Sequence, residues 1–196
     1  MRTRQMAADI SIGLLAGYVG TKIMEPVSMK LYELESKADR EQEDRVRPGS
    51  PYRLAAEKMT KAVGLHLADK ELDRAGMAFH YGLGMSWGPA YTLLRRAVRI
   101  NPLVAGSLVG GAMWLLADEL MTPAFGFSAP NTAYPISTHV RGFIAHIVFG
   151  LGVAAAAECC YAVGSAGGTR VRESRRPGLS LHKIRESVWI RRFSCP

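Results

Sequence analysis

Cysteine is scarce in this chain, with three in 196 residues and two of them adjacent. That excludes a disulfide scaffold, because neighbours in a helix do not bridge each other. Aromatics make up only 8% of the residues, and no aromatic-rich basic motif of the kind that stacks bases is present, so nucleic acid is not an expected partner. There is no phosphate loop, no dinucleotide fingerprint and no His-Glu-x-x-His pair. Disorder is excluded in turn, since 48% of the chain is apolar, and its length suits one domain with a real core.

The most informative absence is of charge. Asp, Glu, Lys and Arg are missing from Ala75 to Leu94 (20 residues), Ile100 to Ala117 (18) and Gly142 to Ala157 (16). A hydrocarbon core about 30 Å thick takes about 20 helical residues. A fourth run, Ile10 to Thr21, has 12 residues before Lys22 and Glu25 interrupt, but Ile23, Met24, Val27, Met29 and Leu31 continue the pattern. The sequence therefore predicts an all-α, four-helix integral membrane bundle over 1–164. Its spans fall near 8–30, 75–95, 101–121 and 138–163, with an extramembrane segment at 31–74 and a basic tail at 165–196. The alternative is a soluble helical domain with unusually apolar helices. Pairs four apart, such as Gly13/Gly17, Gly84/Gly88 and Gly106/Gly110, suit close helix packing in lipid. Arg2 and Arg4 before a short apolar stretch raise the question of a signal peptide. No Ala-x-Ala site follows, so the segment is expected to be retained.

Arg2 and Arg4, Arg95, Arg96 and Arg99, and the tail all fall on one side of such a bundle. The tail holds eight Lys or Arg against two Glu. The positive-inside rule then places both termini in the cytoplasm of a multi-pass inner-membrane protein. The tail's Leu181, Ile184, Val188 and Trp189, among Lys183, Arg185, Arg191 and Arg192, form a basic amphipathic stretch suited to anionic inner-leaflet lipids. On the outer side, Glu33 to Arg47 is a dense mixed-charge run, expected as a solvated helical extension or loop. After Pro48, Gly49 and Pro51, the residues Leu54, Ala55, Met59, Ala62, Val63 and Leu65 recur at helical spacing. They read as an amphipathic helix on the membrane surface or capping the bundle, with a substrate lid as the sharper alternative.

Ionisable groups at membrane depth are costly unless paired. Lys22 and Glu25, Asp118 and Glu119 come late in outgoing spans, whereas His80, His139, Arg141 and His146 come early in returning ones. At about 1.5 Å per residue, all eight lie roughly 5–16 Å to the outer side of the midplane. Glu158 belongs to the inner side. Lys22 and Glu25, three apart, pair locally, and Pro26 beside them removes a backbone donor and favours a kink. His139 and His146 share a face two turns apart. The loop Phe125–Pro135, with Pro123 and Pro130 nearby, is expected to roof the cluster.

Three readings stand. In the first, Lys22–Glu25 and Arg141 with Asp118 or Glu119 are structural ion pairs, with the histidines hydrogen-bonded across them. In the second, Glu25 and the histidines titrate in a wet outer cavity that handles protons or ions. In the third, His80, His146, Glu25 and Asp118 hold a metal that supports intramembrane hydrolysis. No catalytic residue and no cofactor is assigned. Ser86 in Gly84-Met-Ser-Trp-Gly88 has the Gly-x-Ser-x-Gly spacing, but it sits inside an apolar helix rather than a strand-to-helix elbow. Four short spans enclose little volume, so a pore or carrier calls for a homo-oligomer.

Several of these elements together resemble the YagU-like family of bacterial inner-membrane proteins. They are Gly13-x-x-x-Gly17 leading into Lys22-x-x-Glu25-Pro26, His80-Tyr-Gly-x-Gly, Ala117-Asp-Glu119 before a Pro-containing loop, and Thr138-His-x-Arg-Gly142-x-x-x-His146. The resemblance covers about 8–163. It implies an inner-membrane location and a fold, with no assigned activity.

Overall fold

Helix starts are written into the sequence. Ser36 accepts the Asp39 N–H at 3.1 Å to open α2 (Lys37–Val46), and Pro51 sits in the first turn of α3 (Pro51–Ala62). Asn101 accepts the Leu103 N–H at 2.8 Å ahead of Pro102, opening α5 (Pro102–Met113). Both devices satisfy or avoid the orphan N–H groups of a first turn. The other long elements are α1 (Arg2–Leu34), which remains helical through Pro26, and α4 (Asp69–Ala97). After α5 the backbone widens into a π-helical segment, Trp114–Met121, followed by the short α6 (Thr122–Ala124). A 3-10 turn at Asn131–Ala133 then leads to α7 (Ile136–Ser174). The computed structural model describes the backbone of residues 2–174 and the side chains of residues 3–164. Among the described residues the protein is all-helical, with no strand. The amphipathic stretch expected around Leu181–Arg192 lies outside them.

The chain divides into two units, Met1–Cys159 and Cys160–Pro196. Within the first, the long helices meet through glycine. A Cβ on Gly13 would sit 2.6 Å from Pro89 Cα, and one on Gly88 would overlap the Gly13 carbonyl, so α1 and α4 touch backbone to backbone. Gly106 and Gly110 of α5 bring that helix against the Gly150 and His146 carbonyls of α7. Gly20 receives Phe149 and Val153, which joins α1 to α7.

The interior is rich in small residues and threonine, including Ala16, Ala105, Ala145, Thr21 and Thr92, which pack with a smaller set of large side chains: Met24, Leu72, Tyr91, Val109, Met113, Phe149 and Val153. Other large aliphatics point outward: Leu15, Leu103 and Leu108 keep 54%, 63% and 57% of their surface exposed. Two helices, Pro102–Ala124 and Ile136–Gly164, are long and apolar enough to cross a membrane. Only 33% and 44% of their most apolar stretches are buried. α1 and α4 have the length without that hydropathy. Lys22 and Glu25 interrupt α1, and the charge-free run of α4 is diluted by Gly, His, Tyr, Ser and Pro.

Most of the Glu33–Arg47 run is exposed or half-buried, as expected, and the departure is at one residue. The run forms α2 and completely buries Glu43, because a guanidinium on α7 waits there as its partner. α3 caps rather than floats, burying Ala55 and Ala56 while Met59 and Val63 stay exposed. Its backbone at Arg53 runs against Gly76 of α4.

Replacing Gly88 by Leu is expected to cost about 1–3 kcal/mol or more through overpacking at a backbone contact. Gly82→Ala, where nothing lies within 4 Å, is expected to be neutral or slightly stabilising. Thermal unfolding of both variants in detergent checks the pair, and equal midpoints would contradict the packing described.

Candidate functional site

The eight ionisable residues gather at the end of the fold where α1 finishes, α4 begins, the π-helical segment ends and α7 begins, but they sort into separate groups. Glu25 accepts hydrogen bonds from Tyr81 Oη at 2.7 Å and Lys22 Nζ at 3.2 Å, with His80 Nε2 at 3.2 Å. Lys22 also reaches Tyr81 Oη at 2.5 Å and lies over its ring. His80 is buried, with its ring 4.2 Å from that of Tyr52. Burial pushes the Tyr52 phenol well above its usual range, and the Asp118 and Glu25 carboxylates push it further. It therefore stays a neutral wall rather than a base.

The π-helical segment presents its two consecutive carboxylates to two histidines of one α7 face. Glu119 meets His139 Nδ1 at 2.7 Å and accepts from Asn131 Nδ2 at 2.9 Å, which ties the 3-10 turn to the helix. Asp118 stands 3.5 Å from His146 Nδ1, but that nitrogen lies 2.8 Å from the Gly142 carbonyl. A carbonyl only accepts, so Nδ1 carries the proton and gives it to Gly142. Asp118 is left beside the ring without receiving its N–H.

Arg141 does not pair with Asp118 or Glu119. One nitrogen donates to Glu35 at 2.7 Å, and the other donates to both oxygens of Glu43 at 2.7 and 2.8 Å. Glu43 is further held by Thr138 Oγ1 at 2.7 Å and by Arg47. The reason is reach: the α2 cap lies directly over the start of α7, and a planar guanidinium satisfies two carboxylates there at once. Sequence reasoning missed Glu35, Glu43 and Arg47 because they sit in a run that looks solvated. The signal available was a helix-capping serine, Ser36, opening that run.

Below the cap is a cavity of about 400 Å³. Asp118, Glu119, His139, Arg141 and His146 line it, with Tyr52, Trp114, Phe127 and Tyr134 among its aromatic walls. Lys22, Glu25 and His80 are not in its lining. The chain matches no family model, no curated protein and no solved structure. Among the described residues no three His, Cys, Asp or Glu side chains are grouped to hold a metal ion. His80 and Glu25 form one pair and His146 and Asp118 another. Ser86 donates to the Leu83 carbonyl at 2.7 Å in the middle of α4, as an ordinary helical serine does. Glu158 accepts from Tyr91 and Arg95 at 2.9 and 3.0 Å, apart from the cluster.

Arg141→Met strands two buried carboxylates and is expected to destabilise the protein by about 3–5 kcal/mol. Adding Glu43→Met should recover part of that loss, giving a coupling that a double-mutant cycle in thermal unfolding reads directly. Strict additivity would mean that the network does not hold the cap.

Proposed function

We propose that the chain is a multi-pass bacterial inner-membrane protein with four spans, near 8–30, 75–95, 101–121 and 138–163, and both termini cytoplasmic. Its outer-end cavity handles protons or small ions without enzymatic chemistry. The observation that carries the membrane reading is the inverted distribution of side chains. Gly, Ala and Thr make up much of the inside, with a few larger residues such as Leu72, Val109 and Val153, while Leu15 of α1 and Leu103, Leu108 and Leu115 of the helix Pro102–Ala124 face outward. A water-soluble fold buries its large aliphatics, whereas lipid supplies them with an apolar solvent outside. The apolar windows of α5 and α7 are less than half buried, unlike the core helices of a soluble domain. The resemblance to YagU-like proteins points the same way.

Within that setting the ionisable residues divide by role. Arg141, Glu35, Glu43 and Arg47 close on one another and lock the cap. Glu119 is committed to His139 and Asn131. The Asp118–His146 pair is not closed: the carboxylate receives no N–H from the ring and keeps 41% of its side chain accessible in a residue that lines the cavity. That pair is where a proton is taken up and released. Metal-supported hydrolysis finds no donor set in this arrangement. A second copy of the chain is needed for any continuous pathway, since the glycine-mediated contacts leave the helices backbone to backbone below the cavity.

Two measurements test the reading. In cells, a cysteine at Ser128 on an otherwise cysteine-free chain should react with an impermeant maleimide from outside, and one at Asn101 only after permeabilisation. The opposite pattern reverses the orientation, and equal reactivity of both before permeabilisation rejects the membrane setting. Infrared difference spectra between acid and neutral buffer should show a protonated-carboxyl band that Asp118→Asn removes. A band that survives the substitution places proton handling elsewhere.

A further inference from the structure

The charges around the cavity leave one group uncompensated. Both Arg141 nitrogens that reach carboxylates are engaged by Glu35 and Glu43, and Arg47 also pairs with Glu43. An anion entering the cavity would therefore compete with buried partners for every guanidinium. Glu119 is saturated by His139 and Asn131. Asp118 faces His146 Nδ1 at 3.5 Å, and the proton of that nitrogen is given to Gly142. It is a carboxylate in a cavity wall with no donor turned toward it.

Part of the remaining lining suits an organic body, set among polar groups such as Ser28, Ser50, Thr122 and Asn131. Tyr52, Trp114, Phe127 and Tyr134 supply aromatic surface, and Met24, Leu83 and Ala145 supply aliphatic surface. Aromatic faces attract an ammonium through their quadrupole, more strongly where water is excluded. The buried indole N–H of Trp114 has no hydrogen-bond partner, leaving a donor in the same wall for a polar atom on the ligand. About 400 Å³ is ample for more than a bare ion and lies within the range of small-molecule pockets. A hard divalent cation is a poor match, because it takes six to eight oxygen ligands and the other two carboxylates of the lining, Glu43 and Glu119, are already engaged by Arg141 and by His139 with Asn131.

We propose that this cavity binds a small organic monoammonium, its charged nitrogen against Asp118 and its apolar body between Tyr52, Trp114 and Phe127. The proposal rests on the outer-end cavity being the functional site and names its ligand class. It does not depend on which way the chain faces.

Isothermal titration calorimetry on the full chain in a neutral maltoside detergent tests it with three probes of similar size: 2-phenylethylammonium, 2-phenylethanol and 3-phenylpropionate. The ammonium is expected to saturate one site and to bind about tenfold or more tightly than the alcohol, with the acid weaker still. Asp118→Asn should abolish that preference while leaving the melting temperature close to that of the unmodified chain. Equal binding of all three probes overturns the proposal by showing an apolar cavity only, and so does saturation by none. An ammonium preference that survives Asp118→Asn also overturns it, by locating the anionic contact elsewhere. If the variant does not fold, the three probes on the unmodified chain decide the matter. A failure here leaves the maleimide and infrared outcomes standing, and a failure there leaves these titrations interpretable.

Discussion

Backbone-to-backbone contact at glycine sets the distances on which everything else is built. Where Gly13 meets Gly88 and Gly106 meets Gly150, no side chain separates the helices. In the lipid setting proposed above, that closeness matters more than burial of large side chains, since dispersion and main-chain contact replace the hydrophobic effect as the force between helices. It also explains the distribution of everything larger. Many large aliphatic side chains stand outward, with Leu72, Val109 and Val153 among those that pack inside, and the cavity opens at the end where histidines, carboxylates and aromatic rings gather.

That end is held open by charge rather than by volume. A cavity beneath two short helices would collapse or flood if the cap were free to shift. Arg141 pins α2 to α7 through a fully buried Glu43, and Arg53 ties α3 to Asp69 and Asp73 at the start of α4. Buried ion pairs of this kind add little net stability against apolar replacements, but they penalise any arrangement that leaves a partner alone. Their contribution is to specify one position for the cap.

Much of this was legible in the sequence. The helical character of all four charge-poor segments follows from the length of their charge-free runs, and the Lys22–Glu25 contact follows from three-residue spacing. Arg141 was legible as a group that needs a partner, but its actual partners were not. Glu35 and Glu43 lie about a hundred positions away in a run whose composition looks solvated, and composition carries no information about what folds on top of it. The π-helical segment was invisible for another reason. Trp114–Met121 has no proline or glycine to announce it, and its last turn closes where the Thr122 N–H and Oγ1 both reach the Ala117 carbonyl five residues back. An ordinary α-helix there would place Asp118 and Glu119 differently, so local geometry decides which carboxylate is committed and which is free. Such insertions recur at functional sites.

The cap also grips the loop beneath it in an unusual way. Lys58 of α3 donates to the Phe125 and Gly126 carbonyls at 2.7 and 2.9 Å, and Gln42 of α2 donates to the Ala133 carbonyl at 3.0 Å. All three acceptors are main-chain oxygens, which every residue type provides. These contacts hold the loop whatever its own side chains are, alongside the side-chain ties of Asn131 to Glu119 and of Tyr134 Oη to the Ala129 N–H. A substitution at Phe127 or Ser128 would therefore change what the cavity wall presents while Lys58 and Gln42 still hold the loop's main chain.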